Sequence, residues 1–125
     1  MKIEDKKYGD FILTTETETL EDIAIAVIMA SYELAGPFGY GFMRNYETEL
    51  TKEKAKAMLN GEDISKDYPC NRNKKNEVYM DYVFGRCCKT KISLLENCVE
   101  IRISERDRNP KKILKRVKEI LKEKI

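Results

Sequence analysis

Residues 77–103 read EVYMDYVFGRCCKTKISLLENCVEIRI, and the alternation of apolar and polar side chains in this stretch decides the predicted fold. A period of two residues is typical of β-strands with one buried face. A three-residue loop of Gly85, Arg86 and Cys87 and a turn at Glu96-Asn97 divide the stretch into three antiparallel strands. The apolar face then holds Val78, Met80, Tyr82, Phe84, Cys88, Thr90, Ile92, Leu94, Val99, Ile101 and Ile103.

The other face of this predicted meander is charged. It carries Asp81, Lys89, Lys91, Glu100 and Arg102, and in the predicted register Asp81 lies directly across from Lys91. A solvated sheet face with weak cross-strand charge pairs is the favoured interpretation of these residues.

Two helices are predicted to pack against the meander. The first begins after Thr19, which stands three residues before Asp22 as in a capping box, and runs over Leu20–Ala35 to Gly36-Pro37. All residues from 23 to 30 are apolar, so this helix is either central in the fold or part of an oligomer interface. The last helix opens at Asn109-Pro110, and its apolar stripe should lie on the sheet: Ile113, Leu114, Val117, Ile120 and Leu121.

The rest of the chain holds shorter elements. Residues 11–13 are apolar and predict an early strand or an extended lead-in, while residues 62–76 are typical of an exposed loop. Thr51 predicts the N-cap of a surface helix that ends near Asn60-Gly61. The predicted fold is therefore a single α+β domain over residues 1–125, with a three-stranded antiparallel meander packed against a buried N-terminal helix and an amphipathic C-terminal helix.

The composition limits the function classes. Hydrophobic residues make up 42% and charged residues 37% of the 125 residues, which predicts a folded chain. We expect a cytoplasmic protein without a membrane partner, because no stretch approaches a bilayer span and the charged N-terminus lacks a signal peptide's apolar core. Residues 1–60 carry a net charge of −4 and residues 61–125 one of +6, which favours either a subunit contact or an anionic ligand.

Catalytic and metal sites are disfavoured by the absence of histidine. The four cysteines show no paired C-x-x-C spacing, so we expect free thiols and no metal, although a zinc site assembled by folding stays an alternative. Arg86 could lower the pKa of the neighbouring Cys87, but a cysteine nucleophile without a histidine partner is disfavoured. We predict no catalytic residues and no cofactor.

The segment Gly36-Pro37-Phe38-Gly39-Tyr40-Gly41-Phe42 is the most unusual part of the sequence. Glycine permits close backbone approach, and the aromatic rings of Phe38, Tyr40 and Phe42 could stack on a planar ligand. Arg44 follows and could bind a phosphate or carboxylate. The structural alternative is a C-cap glycine, a stop proline and aromatic residues that fill the core.

A second candidate segment is Asp81-Tyr82-Val83-Phe84-Gly85-Arg86 with Lys89. It places a guanidinium at a hairpin tip and an ammonium just beyond it. An anion-binding surface could form from these two groups together with four further cations: Arg72, Lys74, Lys75 and Arg102. The predicted ligand-binding residues are therefore Phe38, Tyr40, Phe42, Arg44, Tyr82, Arg86 and Lys89.

The two segments follow the patterns P-x-G-x-G-F and D-Y-x-x-G-R-x-x-K, and in this the chain resembles small proteins carried by bacterial prophages and mobile elements. The resemblance implies a role in binding a host factor or a signal molecule rather than in catalysis. A phage anti-defence protein that sequesters a signalling nucleotide fits this implication.

We therefore predict a non-enzymatic binding protein for an anionic or nucleotide-like small molecule, assembled as a homo-oligomer through Leu20–Ala35. The alternative is a protein-interaction or inhibitor module that binds a host protein through an aromatic and arginine patch. An enzyme that uses Asp81, Tyr82, Arg86 or Cys87 is the third hypothesis.

Overall fold

The computed structural model describes residues 1–6, 10–35, 50–64, 71–82, 88–103 and 110–123. These residues form an α+β fold, which confirms the predicted class. In chain order the elements are β1 (Lys2–Asp5), β2 (Asp10–Thr14), α1 (Leu20–Ala35), α2 (Lys52–Leu59), β3 (Asn71–Lys74), β4 (Glu77–Tyr82), β5 (Cys88–Leu94), β6 (Val99–Ile103) and α3 (Pro110–Glu123).

The sheet has six strands in the order β1-β2-β6-β5-β4-β3, so the prediction of a three-stranded sheet was wrong. All neighbouring strands pair in antiparallel order. The predicted meander forms its centre as β4, β5 and β6, and the early strand joins it as β2. The two outer strands, KIED and NRNK, were missed because outer strands of a sheet can be short and charged. The predicted loop over 62–76 is wrong at 71–74 for this reason.

The register between β4 and β5 differs from the predicted one by two residues. Tyr82 pairs with Cys88 and Asp81 pairs with Lys89, whereas Asp81 was predicted to face Lys91. A shift of two leaves every position on its predicted face, because side chains alternate with a period of two. On the predicted apolar face, Val78, Thr90, Ile92, Val99 and Ile101 are accordingly buried.

Helix α1 has the predicted bounds and lies at the centre of the fold. The Thr19 Oγ1 accepts a hydrogen bond from the Asp22 backbone N–H at 3.1 Å, as expected of an N-cap. Residues 23–28 are at most 1% exposed, because the helix lies on β5 and β6 and contacts α2 and α3 at its sides. Of the two predicted roles of α1, a central helix or an oligomer interface, the structure supports the central helix. The homo-oligomer stays a prediction, and α1 is already buried within one chain.

Helices α2 and α3 flank α1. In α2, Ala55, Met58 and Leu59 are buried, and the Thr51 side chain accepts a hydrogen bond from the Lys54 N–H at 3.2 Å. The stripe of α3 is buried as predicted but packs mainly against α1, so its predicted placement on the sheet was wrong. The physical reason is that α1 covers the middle of the sheet, so the apolar stripe of α3 is buried against the apolar side of α1 instead.

Candidate functional site

The predicted ligand-binding residues lie partly outside the part of the chain that the structure describes. Phe38, Tyr40, Phe42, Arg44 and Arg86 all lie outside the described residues. The two remaining candidates are Tyr82, the last residue of β4, and Lys89, the second residue of β5.

Positions 82 and 89 belong to opposite faces of the sheet. Position 82 pairs with Cys88 and lies four residues after the buried Val78, so it belongs to the face that α1 covers. Position 89 pairs with Asp81 and lies two residues before Lys91, so it belongs to the open face, which faces away from α1. A ligand that contacts both positions must therefore lie over the end of the sheet rather than on one face.

The end of the sheet at which β4 finishes and β5 begins is called the motif end below. β6 also finishes there, since Thr90 pairs with Ile103, and β2 begins there. At the opposite end of the sheet, Lys2 pairs with Thr14 and Leu94 with Val99.

Helix α1 begins at the opposite end and runs toward the motif end. The Met1 ammonium bonds Glu16 at 2.7 Å and Glu18 at 3.0 Å, which ties the start of α1 to the start of β1. The 16 residues of α1 span about 24 Å, which is enough to cross strands of five to seven residues. Ala35, the last residue of α1, therefore lies near the motif end.

Helix α2 ends at the opposite end of the sheet. Its last carbonyl, Leu59 O, accepts a hydrogen bond from Asn76 N at 2.8 Å in the turn between β3 and β4, and Lys56 lies 3.6 Å from Glu21 at the start of α1. By the path of α1, the residue before segment 36–49 and the two residues that flank segment 83–87 lie at the motif end.

A second group of functional side chains lies on the face of the sheet that faces away from α1. Arg72, Tyr79, Lys91 and Arg102 are successive cross-strand neighbours on β3, β4, β5 and β6, and are called the basic row below. The Arg72 guanidinium lies over the Tyr79 ring, 4.7 Å from its centroid, which is a cation–π distance.

The electrostatics of the basic row are unfavourable by themselves. Lys91 and Arg102 are directly opposite each other, and like charges in this position destabilise a sheet. Glu77 lies 3.8 Å from the Lys91 ammonium and Asp10 lies 3.3 Å from the Arg102 guanidinium, which offsets part of the repulsion. Both pairs are partly exposed and therefore weak.

A depression of about 390 Å³ adjoins the Arg72–Tyr79 stack. Its lining residues are Arg72, Asn73, Lys74, Glu77 and Tyr79. Sequence reasoning offered Arg72, Lys74 and Arg102 as part of an anion-binding surface but favoured a solvated face. It missed Tyr79 and the stack because it treated residues 71–74 as loop. The available signal was the alternation N-R-N-K before Lys75-Asn76, which resembles the first arm of a hairpin.

The amino terminus forms a separate charged cluster beside a cavity of about 420 Å³ that Asp22 and Lys122 also line. Partial burial alone would raise the pKa of Glu18, but hydrogen bonds from the Met1 ammonium and from the backbone N–H groups of Glu18 and Glu16 lower it to about 2. The pKa of the ammonium is raised, chiefly by its hydrogen bond with Glu16. This cluster joins β1 to the start of α1.

The described residues contain no cluster of metal ligands and no helix that could span a membrane. No group of three or more cysteine, aspartate or glutamate side chains in that part of the chain could hold a metal ion. Cys98, in the β5–β6 turn, carries a free thiol. Among the described helices, none combines the length and the apolar character that a bilayer crossing requires.

Comparisons with known proteins assign no family to the chain. No protein-family model, curated protein or solved structure matches it. The resemblance to prophage-borne proteins stays a prediction. The arrangement of the chain's own residues is therefore the basis on which a function is proposed.

Proposed function

We propose that the protein is a non-enzymatic, cytoplasmic binding protein for an anionic, nucleotide-like small molecule, and that the ligand binds over the motif end of the sheet. The observation that supports this proposal is the chain path. α1 brings Ala35, the residue before segment 36–49, to the end at which β4 and β5 bring the flanks of segment 83–87. Described residues that border two segments about forty positions apart in sequence therefore lie at one end of the sheet.

The proposed role of each residue follows from the chemistry of its side chain. Phe38, Tyr40 and Phe42 would stack on a planar base, and Arg44 and Arg86 would neutralise phosphate. Tyr82 and Lys89 would approach the ligand from opposite sides, because their positions alternate to opposite faces of the sheet. With the prophage resemblance, this arrangement favours sequestration of a signalling nucleotide as an anti-defence role.

The test is native mass spectrometry of the protein purified from cells, followed by calorimetric titration with a panel of nucleotides. We expect a bound species that is lost in both Arg86→Ala and Tyr40→Ala. A matched control is Lys122→Ala near the end of α3, which removes the same charge at the opposite end of the sheet, beside Met1 and Glu18, and should keep the ligand.

Two outcomes would contradict the proposal. Binding that persists in both motif variants would remove the motif end as the site. An empty panel together with a protein partner that copurifies with wild type and is lost in Arg86→Ala would favour the alternative, a protein-interaction module that binds a host protein. The same mass spectra report the predicted homo-oligomer.

A further inference from the structure

We propose that the open face of the sheet binds single-stranded nucleic acid along the basic row, with a base stacked at Arg72–Tyr79 and the phosphates at Lys91 and Arg102. This surface is distinct from the motif end, and the proposal does not depend on the small-molecule site. It rests only on side chains whose contacts and exposure are described.

The first step is the geometry of the row. Each residue of the row is the direct cross-strand neighbour of the next, so the four side chains follow a line across four strands. At a strand spacing of about 4.8 Å this line is about 14 Å long. Cations spread along a line suit a chain of phosphates, whereas a mononucleotide needs cations that converge on one point.

The second step is the stack of Arg72 on Tyr79. Proteins that bind single strands combine a basic track with aromatic or guanidinium planes on which unpaired bases stack. Arg72 is exposed and Tyr79 is half-buried, and the depression beside them gives a ring about 390 Å³ of space. An acidic peptide would use the cations but has no need of this flat platform.

The third step is the energetic state of the row without a ligand. The facing pair Lys91 and Arg102 breaks the rule against like charges across strands, and such exceptions concentrate at functional sites. Their partners Glu77 and Asp10 form partly exposed pairs that a phosphate can replace at small cost.

The carboxylates of the open face set the path of the ligand. The adjacent row holds Lys74, Glu77, Ser93 and Glu100 in cross-strand order. Repulsion from Glu77 and Glu100 disfavours phosphates over β4, β5 and β6 in that row and so favours the basic row beside it. Glu77 also lines the depression, where its carboxylate can accept a hydrogen bond from an exocyclic base amine.

The experiment is fluorescence anisotropy of the full chain with a labelled single-stranded oligothymidylate and oligocytidylate of about 12 nucleotides. We expect Tyr79→Leu to weaken binding at least about 5-fold, the lower limit for the loss of one stacked base, and Tyr79→Phe to retain it. The double variant of Lys91→Ala with Arg102→Ala should reduce the slope of log affinity against log salt by about 1.4.

A matched control separates the basic row from net charge. Lys112→Ala with Lys115→Ala removes the same charge from exposed positions of α3, in the helix layer, and should leave the affinity and the salt slope nearly unchanged. Circular dichroism checks that each variant is folded.

Three results would overturn the proposal. The first is the absence of wild-type binding to either oligonucleotide at about 50 mM salt. The second is an equal loss in the α3 control. The third is binding of oligoglutamate as tight as that of the oligonucleotides with no effect of Tyr79→Leu, which would assign the row to an acidic protein.

Discussion

Ile101 and Arg102 are neighbours in β6, yet Ile101 is fully buried beneath the helix layer while the Arg102 side chain is 60% exposed on the open face. The same contrast repeats across the sheet. The covered face is closed by Leu13, Val78, Ile92 and Val99, each fully buried, and the open face carries the basic row and its carboxylates. One set of strands therefore supplies the core on one side and the polar chemistry on the other, so the two faces should respond to substitution in different ways.

The sharpest test of this contrast is Ile101→Ala. Removing most of a fully buried side chain leaves a cavity between the sheet and α1, and we expect a loss of about 2–5 kcal/mol in the free energy of unfolding. Urea denaturation followed by circular dichroism measures the loss. The adjacent Arg102→Ala should cost less than about 1 kcal/mol. Similar losses in both variants would mean that the open face is as structural as the covered one.

The next largest effect is expected where the helix layer joins the sheet, at Gly61. This residue has φ +85°, and a Cβ there would lie 2.9 Å from the Lys75 backbone nitrogen. We expect Gly61→Ala to destabilise the fold by about 1–3 kcal/mol, since neither the strain nor the backbone contact can be relieved by a rotamer change. Chemical denaturation gives the value.

The control for Gly61 is Asn76→Gly in the adjoining turn, where φ is 63°. Asparagine tolerates this conformation, so the change should alter stability by less than about 1 kcal/mol. Chain entropy alone would stabilise Gly61→Ala and destabilise Asn76→Gly, so a Gly61→Ala variant that is as stable as wild type would contradict the close backbone approach.

A smaller effect is expected from Glu18→Gln, and it should depend on pH. The pKa of Glu18 is lowered from 4.5 to about 2 in the folded chain, so its contribution to stability is present above about pH 4.5 and is lost as the pH falls toward 2. Denaturation midpoints of the variant should lie below those of wild type at neutral pH and converge with them near pH 2. Glu53→Gln, on the exposed side of α2, is the control and should give curves parallel to wild type.

The smallest expected effect concerns the basic row itself. Replacing one of two facing cations in Lys91→Thr removes repulsion and adds a residue that favours strands, so stability should stay the same or rise by as much as about 1 kcal/mol. Thermal and urea denaturation measure the change. A loss above about 1 kcal/mol would show that Lys91 is retained for stability and would weaken the case for a binding role.

The parts of the fold with strong periodicity were predictable from the sequence. The bounds of α1 followed from Thr19 and the Gly36-Pro37 stop, and the faces of β4, β5 and β6 followed from alternation. The outer strands β1 and β3 were not predictable in this way, because their residues are charged and their pairing depends on neighbours far along the chain. The packing of α3 on α1 depends on which helix reaches the middle of the sheet, and no local pattern records that.

The candidate sites divide in a similar way. Sequence patterns identified the motif segments by residue type alone, and the chain path adds that Ala35 lies at the same end of the sheet as the flanks of segment 83–87. The stack in the basic row could not be assembled from sequence because Arg72 and Tyr79 meet only through β3, which was predicted as loop, whereas the turn at Glu96-Asn97 already implies the pairing of Lys91 with Arg102. Pairing between distant residues, rather than composition, creates this surface.

The two outer strands have a consequence for how the protein behaves at high concentration. β1 carries Lys2, Glu4 and Asp5, and β3 carries Arg72 and Lys74. β1 is therefore net acidic and β3 net basic, and a second molecule that presented the same edge would meet like charges, which opposes pairing of β1 with β1 or of β3 with β3. Association through equal edges is thus opposed by the same charges that mark these strands as the ends of the sheet.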